Sequence, residues 1–500
     1  MKKVLIGLVV CAAVVSTASP AVAASGPEVV VTASGAVRGV VGEDHRVYRG
    51  LPYAEPPERW AAPRPVRPWT GVRDATTSGH ACAQSAGFSA GSEHEDCLYL
   101  DVTAPRAGRA KPVVVWLHGG AFQFGAGSDY DARRMAALGD VVVVTVNYRL
   151  GVFGFLAHPG LAGSGNYGLA DQQAALRWVR RNAAAFGGDP GNVTIAGESS
   201  GARSVCAHLV APGSQGLFHR AVVQSEPCTM TDWPAADGTP EAEPPGYPRS
   251  REVAERQGVR YAQAQGCADV ACLRQKTPAQ LLATAEWFAP THGTAVLPVD
   301  PAVAGRVVRV PVLHGITRDE YRISDGLNEA FGVPPVTAEE YAARVARFVG
   351  ASDAPAVLDR YPVTASPSEA WAAVVTDALY GEATAEFHRQ AAARVPTFAY
   401  EFADPAAPWM SGLPAPSFPT GAYHTAELQY LFRTTGFDTP LTTEQRALGD
   451  RMIGYWTTFA RTGRPTGFER GQLARELTPS GDRPVDFAAR HQVDFWRILR

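Results

Sequence analysis

The sequence predicts an α/β fold built on a large, mostly parallel central sheet flanked by helices. Three observations carry that reading. Residues 113–117, 141–146, 193–196 and 220–224 are short apolar runs rich in β-branched side chains, the character of strands buried on both faces of a sheet. Residues 169–185 lie between two of these runs and repeat apolar side chains at helical spacing, with Leu169, Ala174, Leu176, Trp178 and Val179 toward the sheet. Strand and helix therefore alternate along the chain, the order that builds a parallel sheet.

Taken in order, the chain opens with Lys2 and Lys3, an apolar run over residues 4–15, and Ala21-Val22-Ala23. These are the charged start, apolar core and small-residue cleavage site of a secretory signal peptide, with cleavage expected after Ala23 or Ala24. The run is too short for a membrane anchor. Cys11 falls inside it, behind Val10, where a lipid-modified cysteine would need a small residue. The expectation is a leader over residues 1–24 and one domain over 25–500, secreted with no membrane anchor. A formal net charge of −3 in 500 residues, with no basic cluster, argues against nucleic acid and anionic lipid as partners. Oligomeric state is left open. Without Cys11, six of the seven cysteines remain, an even number bound for an oxidising compartment. They lack the paired spacing and clustered histidines of a zinc site, so no metal is expected.

Chemistry concentrates at residues 186–201. Gly197-Glu198-Ser199-Ser200-Gly201 fits G-x-S-x-G between an apolar run and a helical stretch over 202–209. Strand, sharp turn and helix form the context of a nucleophile elbow. The turn lifts the serine hydroxyl clear of the sheet, and the helix N-terminus offers unpaired N–H groups beneath it. The bare motif is weak, because Gly87-Phe88-Ser89-Ala90-Gly91 also fits. No strand precedes that second match and no helical pattern follows it, so Ser89 reads as a loop serine. His118-Gly119-Gly120-Ala121-Phe122 leaves the end of the 113–117 strand. A glycine-rich turn there aims backbone N–H groups at a developing oxyanion, and the candidate donors are Gly120, Ala121 and Ser200.

A serine hydroxyl needs a histidine to take its proton and an acid to orient that histidine. In this fold class the chain order is serine, acid, histidine. Seven histidines follow Ser199. His208 lies on the helix behind the elbow, facing away. His424 sits on a late loop, Thr420-Gly-Ala-Tyr-His424, where a base belongs. Asp319 and Glu320 both follow an apolar run at 310–315, and residue types alone leave the acid open, with Glu320 the first choice. Residues 397–402 add a further strand. Residues 442–462 form a long helix, with Thr442 and Gln445 as a capping box and Gly463 as its stop. The Pro-, Gly- and Glu-rich stretch 232–251 reads as an exposed loop.

Further ordered motifs complete the pattern: Arg49-Gly-Leu-Pro-Tyr-Ala54, Glu95-Asp-Cys-Leu-Tyr-Leu-Asp-Val102, Asn147-Tyr-Arg-Leu-Gly151 and Gly165-Asn-Tyr-Gly-Leu-Ala-Asp-Gln172. With the 118–122 and 186–201 segments, the chain resembles the type-B carboxylesterases, the superfamily of cholinesterases and bacterial para-nitrobenzyl esterases, from about residue 29 to 499. The resemblance implies an α/β-hydrolase fold and a serine carboxylesterase acting on a small-molecule ester without a cofactor. It puts the acid on Glu320, in Gly315-Ile-Thr-Arg-Asp-Glu320, and the base on His424, in His424-Thr-Ala-Glu427. It also implies Glu198 beside the nucleophile and Ser225 one layer behind. It pairs Cys82 with Cys97 and Cys267 with Cys272. Parity then predicts a third disulfide, Cys206 to Cys228. Geometry objects: Cys206 lies two helical turns, roughly 10 Å, below the elbow, and Cys228 leaves a strand at its upper end.

The sequence departs from the family pattern at Ala121, which keeps its N–H. It departs also at Tyr321 and at Thr291-His292-Gly293, where a change in the pocket wall is expected. A lipase or amidase on the same three residues is the alternative reading. A non-catalytic, neuroligin-like binding protein is disfavoured because Ser199, Glu320 and His424 are all present. Acyl and alcohol preference rests with pocket loops around Trp233, Trp287, Phe288 and Trp409.

Overall fold

Valine-rich segments at the centre of the chain set the sheet. Its strands are β1 (Pro27–Thr32), β2 (Gly35–Val41), β3 (His45–Pro52), β4 (Val72–Asp74), β5 (Tyr99–Pro105), β6 (Lys111–Leu117) and β7 (Val142–Val146). They continue with β8 (Gly188–Glu198), β9 (Arg220–Gln224), β10 (Val312–Thr317), β11 (Thr397–Phe402), β12 (Ala474–Thr478) and β13 (Gly481–Val485). The spatial order is β1-β2-β3-β5-β7-β6-β8-β9-β10-β11-β12-β13, with β4 beside β2. Every pair from β7 to β12 is parallel. The ladders along that order from β1 to β7 on one side, and β12 with β13 on the other, are antiparallel, while β4 runs parallel to β2. The computed structural model describes residues 27–87, 89–230, 248–284, 286–437, 439–470 and 474–499. The expected leader lies outside the described residues, as do residues 232–247 of the expected exposed loop.

Two helical layers cover the parallel core. Helix α1 (Tyr167–Asn182) buries Leu169, Leu176, Trp178 and Val179, while Ala174 is only half-buried and Ala175 takes the inner position. With α2 (Ser200–Val210) it packs on Val113, Val115, Leu117, Val193 and Ile195. The alternate strand residues Val114, Trp116, Ala196 and Val222 face the other layer, where α3 (Thr443–Thr462) contributes Leu448, Met452, Ile453, Trp456 and Phe459. The period of two along each strand is what splits the core between the two layers. At the start of α3, the Gln445 N–H donates to Thr442 Oγ1 at 3.2 Å and the Thr442 N–H to Gln445 Oε1 at 2.9 Å. Gly463, at φ 78°, closes the helix. Such a cap stabilises a helix by about 1 kcal/mol.

Three disulfides are formed: Cys82–Cys97, Cys267–Cys272 and Cys206–Cys228. The third answers the geometric objection. Ser225, at φ 58°, turns the chain sharply after β9. A turn from Pro227 to Met230 then follows, with the Met230 N–H donating to Pro227 O at 2.9 Å. Arg203 on α2 holds Glu226 at 2.6 Å over the same stretch. The two cysteine Cα atoms come within 5.4 Å.

Candidate active site

The elbow is built by close backbone approach. Ser199 stands between β8 and α2 at φ 54°, ψ −128°, a conformation that costs a non-glycine residue on the order of 1–3 kcal/mol. Its N–H donates to Gln224 O at 3.0 Å, which ties the turn to β9. A Cβ on Gly197 would lie 2.5 Å from the Gly201 carbonyl, and one on Gly201 would lie 2.0 Å from Leu117 O. Both glycines are therefore fixed by the crossing of β8, α2 and β6.

The glycine-rich turn after β6 is equally constrained. Gly120, Ala121 and Phe122 have φ of 106°, 53° and 62°. A Cβ on Gly120 would meet Phe124 O at 2.1 Å. Ala121 and Phe122 thus sit in the left-handed region without being glycine. Among the described residues, the N–H groups of Gly120, Ala121 and Ser200 donate to no protein acceptor. Ser200 opens α2, where N–H groups have no intrahelical partner in any case.

His424 is buried opposite them. Its Nδ1 lies 2.6 Å from Glu320 Oε2, and its own N–H donates to Glu320 O at 3.2 Å. Glu320 is fully buried, and its Oε1 accepts the Thr317 N–H at 2.8 Å. Asp319, the other acid left open by the sequence, turns away. It pairs with Arg318 at 2.7 Å and accepts the Ala422 N–H at 2.9 Å, so it braces the loop that carries His424. Glu198 Oε1 lies 3.2 Å from His424 Nε2 but lacks the alignment of a hydrogen bond. No hydrogen bond joins Ser199 Oγ to His424 among the described residues; such contacts are often long before substrate arrives. Ser199, Gly120, Ala121 and His424 all line one cavity of about 1000 Å³.

Carboxylates dominate the electrostatics. Burial pushes the His424 imidazole down, but Glu198 and Glu320 outweigh it and raise the ring to about 10. Burial raises Glu198 well above the usual carboxylate range; His424 opposes that, while Glu427, Glu320 and Glu226 add to it. Glu427 is pushed up to about 7 by burial and then by Glu320. Its Oε1 accepts the Gln224 side-chain N–H at 3.1 Å, and Gln224 in turn accepts the Trp456 indole N–H at 2.8 Å. Burial raises Glu226, with Arg203 opposing. The roles of Glu226 and Glu427 are not visible in the sequence reading. Glu427 stands three residues after His424, and that spacing is the one local signal for it.

Ser89 lies in a loop, its hydroxyl donating to Asp129 at 2.9 Å, and it lines the same cavity. His208 is held at both ring nitrogens, by Ser214 and Gln172 at 2.8 Å each, and burial lowers it to about 3. Ser225 is buried, and its Oγ has no partner among the described residues. Trp287 and Phe288 line the cavity, whereas Trp409 packs on Tyr423 at 4.9 Å. Trp233 is outside the described residues. The expected change in the pocket wall at Tyr321 and 291–293 is corrected: none of these residues lines the cavity among the described residues. The Tyr321 N–H is used on Thr376 Oγ1 at 3.0 Å, and Thr291 is locked to Asn166 through N–H and carbonyl contacts of 3.0 and 2.6 Å.

A parallel sheet with a strained serine at a strand-to-helix turn, facing a buried histidine–glutamate pair, defines an α/β hydrolase. Residues 26–482 match the carboxylesterase family, and the chain belongs to that family. It is 34% identical to the para-nitrobenzyl esterase of Bacillus subtilis (strain 168) over 472 residues, 88% of this chain and 91% of that protein. It is 31% identical to a human cocaine esterase over 516 residues, 90% of this chain and 87% of that one. A solved structure of a PNB esterase superposes with a TM-score of 0.75 at 30% identity, covering 93% of this chain and 99% of the other. A thermophilic PNB esterase gives 0.73 at the same identity. The protein is a carboxylic ester hydrolase.

Proposed function

We propose that the protein hydrolyses esters through an acyl-enzyme on Ser199. The observation that carries this reading is the 2.6 Å contact between His424 and buried Glu320, on the wall of the cavity that Ser199 also lines. His424 Nε2 takes the Ser199 proton as Oγ attacks the ester carbonyl. The N–H groups of Gly120, Ala121 and Ser200 receive the oxyanion, each such donor being worth roughly 100- to 1,000-fold in rate. His424 then protonates the leaving alcohol, and water repeats the cycle on the acyl-enzyme. Glu320 fixes the ring and stabilises its charged form. Glu198 sets the basicity of His424, and Ser225 supports the turn behind the nucleophile. The chain requires no cofactor for these steps.

We read residues 1–24 as a leader and residues 25–500 as one domain, released to the exterior. The three disulfides support an oxidising destination. The test is a fluorophosphonate probe with para-nitrobenzyl and para-nitrophenyl esters as substrates. Label is expected on Ser199 alone. Ser199→Ala is expected to lose about a million-fold in kcat, and Ser89→Ala to stay within about threefold, as a loop serine should. Adduct on Ser89, which lines the same cavity, would overturn the assignment.

A further inference from the structure

Most large apolar side chains that stay in solvent here are scattered over the surface, as Leu138 and Ile498 are, and scattered singly they need no explanation. Two differ. Trp287 and Phe331 are 43% and 72% exposed, the two aromatic members of that set among the described residues. Both also line the cavity that holds Ser199 and His424. They reach it from segments more than forty residues apart in the chain, so local sequence does not explain the coincidence.

Each ring is exposed on a firmly held backbone. Trp287 O accepts the Gln257 side-chain N–H at 2.8 Å, and Phe288 O accepts that of Gln123 at 2.9 Å. Phe331 closes the helix Arg322–Ala330, its N–H donating to Leu327 O at 2.9 Å. Glu329 anchors that helix end by accepting the Ser417 N–H at 2.7 Å. Neither ring joins an apolar core cluster among the described residues. An aromatic side chain offers 150–250 Å² of contact area, and here a large part of it is open to solvent on residues that line the cavity. The same cavity is lined by further apolar side chains, Leu281, Leu282, Ile323 and Leu413.

We infer that Trp287 and Phe331 form an outer apolar subsite that holds the far end of a long ester, so that long-chain alkyl or aryl esters are better substrates than short ones. The inference rests on the esterase reading above. It names the two residues that set chain-length preference, and it needs no movement of either backbone segment.

The test uses the full chain with two substrate series at concentrations below micelle formation. One is para-nitrophenyl esters from acetate to decanoate, the other alkyl acetates from ethyl to decyl. In wild type, kcat/KM is expected to rise along at least one series. Trp287→Ala and Phe331→Ala are expected to raise KM for the long member by about tenfold and to leave the short member within about twofold. Trp287→Phe is expected to recover most of the loss, and Leu138→Ala to change nothing. Both alanine variants leaving long-chain KM unchanged in both series would overturn the subsite, as would an equal loss on short and long esters. Either result, with acetates still hydrolysed, leaves the esterase reading intact. A wild type that cleaves neither series and takes no phosphonate label would overturn both.

Discussion

Two buried imidazoles among the described residues sit between two carboxylates, and they differ in whether a ring nitrogen is left free. His424 has Glu320 at 2.6 Å and Glu198 at 3.2 Å. His491, near the C-terminus, has Asp377 at 2.6 Å and Glu401 at 2.6 Å. In both, burial lowers the ring and the carboxylates raise it to about 10. The charge environment alone does not separate them. Hydrogen-bond satisfaction and access do. His491 is 2% exposed, both of its nitrogens are engaged, and Asp377 and Glu401 are held further by Tyr361 and Arg490. His424 is tied at Nδ1 only, and it borders the cavity with Ser199. A histidine fixed at one nitrogen and free at the other can move a proton; one fixed at both is a clamp.

Replacing each ring by glutamine is the strongest way to break that comparison. His424→Gln is expected to lower kcat by at least about ten-thousand-fold, because no base remains for Ser199. His491→Gln is expected to keep kcat within about tenfold and to lower Tm instead, since it leaves buried carboxylates short of a partner. The pH dependence gives the sign. The folded pKa of His491 lies above the unfolded value near 6.5, so its stabilisation is fully present below pH 6.5 and is lost as pH rises through about 10. Wild-type Tm should therefore fall over that window, with the facing groups Asp377, Glu401, Arg490 and Glu476 also in play. The glutamine variant should show a flatter slope. An equal slope in thermal melts from pH 6 to 10 would remove His491 from this role.

Adjacent acids sharpen the comparison next. Glu320→Gln is expected to cost roughly ten-thousand-fold in kcat, because an amide cannot stabilise the imidazolium. Asp319→Asn is expected to cost far less, since Asp319 meets Arg318 and the Ala422 N–H rather than the ring. Steady-state kinetics with the reverse ranking would reassign the acid.

What was legible in the sequence follows from the range of the forces involved. The elbow, the central strands and the capped helix α3 are written in local pattern, and the folded chain keeps them within a few residues of the expected bounds. Strands β1 to β5 were not read. Burial alternates along β1, with Val30 and Thr32 inside and Val29 and Val31 48% and 72% exposed, but the exposed positions are valines too, and all three residues of β4 are exposed, so hydropathy carries little period-two signal. Asp319 and Glu320 could not be separated by spacing, because neighbouring side chains diverge only once the backbone path is known. Glu226 and Glu427 were missed for a related reason. They approach His424 from β9's exit and from the base's own loop, and only the fold brings these together.

Glu198 offers the smallest and most specific contrast. It is the carboxylate at the free nitrogen of His424, at 3.2 Å, and His491 has no unaligned partner of that kind. In the proposed mechanism His424 must be neutral to accept the Ser199 proton, so activity should climb with pH through the ring's pKa. Glu198 and Glu320 hold that pKa above the ordinary imidazole value. The acid limb of kcat/KM should therefore lie above pH 6.5. Glu198→Gln removes the largest of the three raising charges, those of Glu198, Glu320 and Glu226, and leaves the ring's tether to Glu320 in place. The limb should then move to lower pH by about one unit or more, while kcat on the plateau falls much less than in Glu320→Gln. A limb that stays in place, or moves upward, would mean that Glu198 is neutral in the working enzyme and that Glu320 and Glu226 set the basicity of His424.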